Sequence, residues 1–150
     1  MIKFSRASIV VEDIDAAVKD FEEVFGMKFY IVVNEELRVK LAFCDEGLNL
    51  VANLDPSNPS PIAGNWTGGV LGAIGFRVPD IDEIRAKMRE RGVKAIYDAD
   101  AVRLRDSTYY GDNFHGLPVA LYQYEGDSFV DAVGARNPGE YDVSLDWKRK

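Results

Sequence analysis

Two stretches of the chain repeat one alternation of apolar and polar positions. Residues 8–30, SIVVEDIDAAVKDFEEVFGMKFY, and residues 75–97, GFRVPDIDEIRAKMRERGVKAIY, both read V-x-D-I-D, helix, Gly, strand, Tyr. Asp13 lies as far from Tyr30 as Asp80 does from Tyr97, and Gly26 and Gly92 differ by one position. Self-similarity on this scale marks a domain built twice. In each copy an apolar strand runs into Asp13 or Asp80, whose carboxylate suits a helix N-terminus. Ile14, Ala17, Val18, Phe21 and Phe25 then recur at three- and four-residue steps, as do Ile81, Ile84 and Met88, which predicts one apolar stripe per helix. Gly26 and Gly92 stand where a left-handed C-terminal residue is expected.

Short strands with turn residues between them follow each helix. In the first copy they are predicted at 28–33, 37–44 and 48–53, and in the second at 93–97, 102–104 or beyond, Tyr109 with Tyr110, and 119–124. Each half is therefore βαβββ, and the fold class is α+β. One domain is expected, with a module over 4–53, a linker or lid over 54–69, a second module over 70–124 and an extension over 125–150. The linker is rich in Pro, Ser, Asn and Gly and carries Trp66, a large apolar group that such a loop does not ordinarily leave in water. The extension carries Phe129, Val130, Val133, Tyr141, Val143, Leu145 and Trp147, which is too apolar for a free tail. It is expected to pack across a partner copy or to cover the cavity of its own chain.

Paired βαβββ units with V-x-D-I-D after each first strand and a D-x-x-G-x-x-x-x-L ending resemble the vicinal oxygen chelate superfamily, over about residues 4–124. The resemblance implies a cupped, barrel-like mixed sheet with helices outside. In the metal enzymes of that superfamily, a residue seven before each capping Asp and one in each last strand converge on a divalent ion, usually as His and Glu. Here those positions hold Arg6, Asn49, Ala73 and Ala120. A guanidinium is a permanent cation with no lone pair to donate, and one histidine cannot supply a two-histidine triad. The expectation is that no metal and no cofactor is bound.

Strand alternation supports the mapping, because side chains two apart share a face. Ala7, Ile9, Val11, Leu48 and Leu50 in one half, with Ile74, Phe76, Val78, Val119 and Leu121 in the other, form helix-packed faces. The opposite faces carry Arg6, Ser8, Asn49, Ala73, Gly75, Arg77, Ala120 and Tyr122, a mixture of small and polar groups suited to lining a cavity. Trp66, Tyr109, Tyr110, Phe114 and Tyr122, with Tyr30, are candidates to stack on a planar ligand. Arg6, Ser8 and Asn49 are candidates to orient its polar edge, and Ala73, Gly75 and Ala120 to give it room. The resemblance then implies a binding protein of the bleomycin-resistance type, sequestering a partly aromatic antibiotic or metabolite. A metal-independent enzyme using Arg6 with Tyr122 or His115 stands as the alternative, and relocated metal ligands drawn from Asp45, Glu46, Asp112 or Glu12 rank below both.

Composition narrows the partners. Eighteen basic and 25 acidic residues give a net charge of −7, which opposes a polyphosphate partner, so no nucleic acid is expected. Arg85, Lys87, Arg89 and Arg91 read as a solvated helix face, and Lys148 to Lys150 as a frayed tail. No run approaches the roughly 20 apolar residues of a membrane span, and no signal-peptide core develops before Glu12 and Asp13, so a cytoplasmic location without membrane partner is expected. Cys44, the single cysteine, reads as strand core. His115, the single histidine, stands in Asp112-Asn113-Phe114-His115-Gly116, where the superfamily has a tight turn, and reads as a turn residue. Superfamily members commonly dimerise, and a homodimer is expected here.

Overall fold

The computed structural model describes residues 1–64, 69–134 and 141–142. Its contacts divide the chain into two compact units, Arg6–Gly72 and a second comprising Met1–Ser5 with Ala73–Lys150. Each is built around one βαβββ module, which makes the fold α+β.

The first module contains β1 (Lys3–Val10), α1 (Ile14–Phe25), β2 (Tyr30–Asn34), β3 (Val39–Phe43) and β4 (Leu48–Asn53). β1 runs parallel to β4, which pairs antiparallel with β3, and β3 with β2. Asp13 caps α1 through a bond from the Ala16 N–H to Oδ1 at 3.0 Å, a feature worth about 1 kcal/mol. Gly26 closes the helix in the left-handed region at φ 69°. The apolar stripe of α1 places Ile14 and Val18 on Ala42, Leu50 and Ala52, with Ile9, Val11 and Leu48 at the margin. The face expected to lie under the helix is thus the one that does.

β2 starts two residues later than predicted and runs one further, and β3 starts two residues late because the turn between them is locally fixed. Asn34 accepts from the Leu37 N–H at 2.9 Å, and Arg38 takes a left-handed φ of 56°. That conformation aims the Arg38 guanidinium at the backbone of the following loop, where it donates to the carbonyls of Asn58 at 3.2 Å and Pro59 at 2.8 Å. Asn53 holds the same loop, donating to the Gly64 carbonyl and accepting from the Ser60 N–H. Ser60 and Ala63 are buried. The segment expected as a linker is therefore strapped to its own module as far as residue 64. Trp66 lies outside the described residues.

The second module contains β5 (Val70–Arg77), α2 (Ile81–Glu90), β6 (Ala95–Asp100), β7 (Leu104–Tyr109) and β8 (Val119–Tyr124). β5 runs parallel to β8, and β8, β7 and β6 follow antiparallel. Asp80 caps α2 by accepting from the Asp82 and Glu83 N–H groups, and Gly92 follows the helix at φ 72°. Ile81 and Met88 pack with Val78, Val93, Val119 and Leu121. The stretch read as two short pieces, 102–104 and Tyr109 with Tyr110, is one strand, β7. Its Arg-Asp-Ser-Thr run is polar on both faces and so carries no visible alternation.

Arg85 corrects the reading of the basic cluster on α2 as a solvated face. It is only 8% exposed, and donates from Nε to Ser107 Oγ at 2.7 Å, from Nη1 to Asp100 at 2.8 Å and from Nη2 to the Asp106 carbonyl at 3.1 Å. Ser107 in turn donates to Asp98 at 2.5 Å. The helix is riveted to its sheet by a buried cation whose donors are matched, the condition under which burying charge is tolerable. Beyond β8 the extension forms α3 (Phe129–Gly134), with Phe129, Ala132 and Val133 buried, and β9 (Tyr141–Asp142), which pairs with β6. The remainder of the extension, including Val143, Leu145, Trp147 and Lys148 to Lys150, lies outside the described residues.

Candidate functional site

In the first module, strand register sets Ser8, Asn49, Phe43 and Tyr30 in one row across β1, β4, β3 and β2, on the face away from α1. Arg6 precedes Ser8 by two residues and shares that face. Its Nε donates to Asn49 Oδ1 at 2.7 Å, its Nη2 donates to the Cys44 carbonyl, and the Asn49 amide donates to Ser8 Oγ at 3.2 Å. Three of the predicted site residues are thereby joined in one hydrogen-bonded chain. Arg6 and Asn49 are each 2% exposed. Cys44 is buried beside them, its thiol bonded to the Leu48 carbonyl and pushed up in pKa chiefly by burial.

In the second module the corresponding face holds two rows. Gly75, Ala120, Thr108 and Tyr97 form one, and Arg77, Tyr122, Asp106 and Ala99 the other. Ala73 lies on the same face of β5, two residues before Gly75. The Tyr97 hydroxyl donates to Asp106 Oδ2 at 2.8 Å, and Asp106 is 3% exposed. Sequence reasoning missed Asp106 and Thr108 because β7 was not recognised as one strand, and left Tyr97, at the end of a predicted strand, out of the site. Once Leu104–Tyr109 is continuous, alternation puts Asp106 and Thr108 opposite Tyr122 and Ala120.

The face expected to line open space is largely covered. Ala73, Ala120 and Tyr122 are, like Arg6 and Asn49, less than a tenth exposed. Tyr122 meets Phe129 of α3 edge-on with ring centroids 5.0 Å apart, and Tyr124 meets the same ring at 5.6 Å. α3 thus packs its own aromatic on this face, one of the two roles expected of the extension. One open space in this module, about 1040 Å³, lies towards the strand ends beside Arg77, Arg103, Tyr124 and Asp131, and a smaller one of about 410 Å³ lies beside Arg89, Tyr97 and Tyr109. In the larger, the Arg77 guanidinium sits 3.8 Å from the Tyr124 ring centre and donates to the Tyr124 and Gly126 carbonyls.

The other aromatic candidates divide. Tyr109 belongs to the core under α2, with Val78, Ile81 and Met88, and Phe114 packs against the same cluster. Burial, reinforced by the nearby Asp98 carboxylate, raises the Tyr109 hydroxyl pKa. Tyr110 is half-buried, its N–H bonded to the Lys94 carbonyl. Neither Tyr109 nor Phe114 shares the face of Ala120 and Tyr122.

His115 is exposed and takes φ 58°, inside a turn closed by bonds from the Phe114 and Gly116 N–H groups to the Gly111 carbonyl, both 2.9 Å. A Cβ at Gly111 would meet backbone atoms of Gly116 and Leu117 at 2.6 and 2.7 Å, so only glycine fits there. The histidine is a turn residue.

The four positions that hold a metal in the superfamily do not fit one here. Ala73 and Ala120 have no donor atom, Arg6 is a fixed cation, and the Asn49 carbonyl already accepts from Arg6. Glu12, Asp45, Glu46 and Asp112 are exposed. Among the described residues no group of three or more His, Cys, Asp or Glu side chains is placed to hold an ion. No described helix is long and apolar enough to cross a membrane.

The family profile for the Glyoxalase/Bleomycin resistance protein/Dioxygenase superfamily matches residues 6–110, and the chain belongs to that superfamily. Among solved structures it is similar to methylmalonyl-CoA epimerase from Mycobacterium tuberculosis, at 22% identity over 82% of this chain and 88% of that one, with a TM-score of 0.67. A methylmalonyl-CoA epimerase in complex with methylmalonyl-CoA and NH4+ matches at 22% identity over 85% and 98%, also with a TM-score of 0.67. A hypothetical protein from Bacillus halodurans matches at 20% identity over 85% and 97%, with a TM-score of 0.66. Identities this low show the fold alone. Comparison with curated proteins finds no match.

Proposed function

We propose that the chain is a metal-free small-molecule binding protein of the cytoplasm that sequesters a partly aromatic antibiotic or metabolite. The observation that carries this reading is the bond from Arg6 to Asn49, which commits both metal positions of the first module to each other. Ala73 and Ala120 at the matching positions of the second module are buried and carry no donor atom. In this reading Arg6 and Ser8 meet an anionic or carbonyl edge of the ligand. On the corresponding face of the second module, taken by itself, Tyr122 lies under Phe129, so a ligand reaching that face displaces the α3 aromatic.

Epimerisation, the activity named for two of the similar structures, needs one group to take a carbon-bound proton and another to return it. None of the four positions offers either. The metal-independent alternative with Tyr122 or His115 as proton carrier gains no support from an exposed turn histidine and a tyrosine packed against Phe129.

The test is a thermal-shift screen of planar aromatic compounds on the purified protein, alongside elemental analysis and titration of Mn2+, Ni2+ and Zn2+. Stabilisation by an aromatic compound without response to the ions is expected, with affinity falling about tenfold or more in Arg6→Met, the loss of a charge-assisted bond. A stoichiometric ion surviving dialysis would overturn the reading.

A further inference from the structure

β2 borders only β3 among the described residues, so alternate residues of Tyr30–Asn34 turn their N–H and C=O groups away from the sheet with no strand to receive them. Such an edge invites another strand, and natural proteins usually guard it with charge, proline or a bulge. This one carries none. Its sequence is Tyr-Ile-Val-Val-Asn, with Tyr30 40%, Ile31 42% and Val33 52% exposed. The apolar surface continues onto α1: Phe21 contacts both Phe29, just before the strand, and Phe25, while Phe25 and Val24 are 66% and 70% exposed.

We infer that this edge is where two copies of the chain associate, by antiparallel pairing of β2 with β2 about a two-fold axis at Val32. An isologous antiparallel pair must set side chains of the same face opposite one another, so the axis passes through a residue and not between two. Centring it on the strand chooses Val32, which sets Ile31 against Val33 of the other copy and Tyr30 against Asn34. The flanks decide in favour of a second copy over an unrelated strand. Lys28 precedes β2 and Glu35 and Glu36 follow it, all three exposed, so antiparallel pairing brings base towards acid at both ends. A parallel arrangement would set like charges together. Pairing also covers Ile31 and Val33 and extends the buried area over Val24 and Phe25, towards the roughly 800 Å² per partner of a stable interface. This inference is independent of what the chain binds.

The experiment is sedimentation of the full chain at micromolar concentration, combined with cysteine cross-linking. Facing residues of an antiparallel pair have Cα atoms about 4.5–5.5 Å apart, within disulfide reach. Val32→Cys is therefore expected to oxidise to a covalent dimer, while Val24→Cys does so much less. Val33→Lys is expected to weaken association about tenfold or more, with an unchanged circular dichroism spectrum because the side chain is exposed. Lys28→Glu should weaken it a few-fold, and adding Glu35→Lys with Glu36→Lys should restore it. A monomeric wild type, a dimer indifferent to Val33→Lys, or equal cross-linking at 24 and 32 would each overturn the inference.

Discussion

Arg6 on β1 reaches Asn49 on β4, Nε to Oδ1, at 2.7 Å, and both side chains are 2% exposed. A buried guanidinium is tolerable only while its donors are matched. Asn49→Ala is therefore expected to lower stability by about 2–3 kcal/mol, the cost of leaving a charged donor buried without its acceptor. Asn49→Asp, which supplies a carboxylate at the same place, should recover most of that loss. Urea midpoints at constant m-value measure both.

Phe129 fills space against Tyr122 and Tyr124 and is 2% exposed. Phe129→Ala should cost about 3–5 kcal/mol by the usual large-to-small arithmetic. If ligands enter over Tyr122, the same variant at low temperature should accept bulkier aromatic compounds than the wild type. Equal selectivity in the two proteins would remove Phe129 from the route.

Asp82 accepts two bonds from Arg105, at 2.8 and 3.0 Å, and these hold its carboxyl below the ordinary range. Since the folded value is the depressed one, the contribution to stability is present above the unfolded value of about 3.9 and is lost as pH falls through the folded value. Carboxyl-detected NMR should place Asp82 below a typical aspartate, and Arg105→Gln should move it up. An unchanged titration in Arg105→Gln would show that the contact does not persist in solution.

His115 sits at φ 58°, where a side chain is disfavoured. His115→Gly should leave stability equal or raise it by up to about 1 kcal/mol, and should leave ligand affinity unchanged between pH 5.5 and 8. Gly111→Ala, whose Cβ would lie 2.6 Å from the Gly116 backbone, should be strongly destabilising. A pH-dependent affinity that vanishes in His115→Gly would return the histidine to the site.

How much of this was legible in the sequence depended on whether the signal was local. Asp13 and Asp80 announce their helices because a cap acts within four residues, and the faces of β1, β4, β5 and β8 follow from alternation in strands that are apolar on one side. β7 gave no such pattern: its polar residues serve Arg85 on one face and Tyr97 on the other, so both sides look like a loop. Arg85 itself reads as surface until Ser107 and Asp100, some twenty and fifteen residues away, are known to lie beneath it. For the same reason Tyr109 was placed with the ligand-facing aromatics, although its parity with Ser107 puts it under α2. The Arg6, Ser8 and Asn49 grouping was legible because its members lie on adjacent strands whose alternation is clear.

The strap after β4 is gripped through main-chain oxygens of Asn58 and Pro59 and through Gly64, with Arg38 and Asn53 doing the holding. Its course is thus encoded largely by residues outside it: Ser60 and Ala63 between those anchors are buried, while the side chains of residues 54–58 are exposed and held by no core contact. Such a segment can acquire new surface chemistry by substitution without renegotiating its path, which makes it a natural place for related chains to diversify.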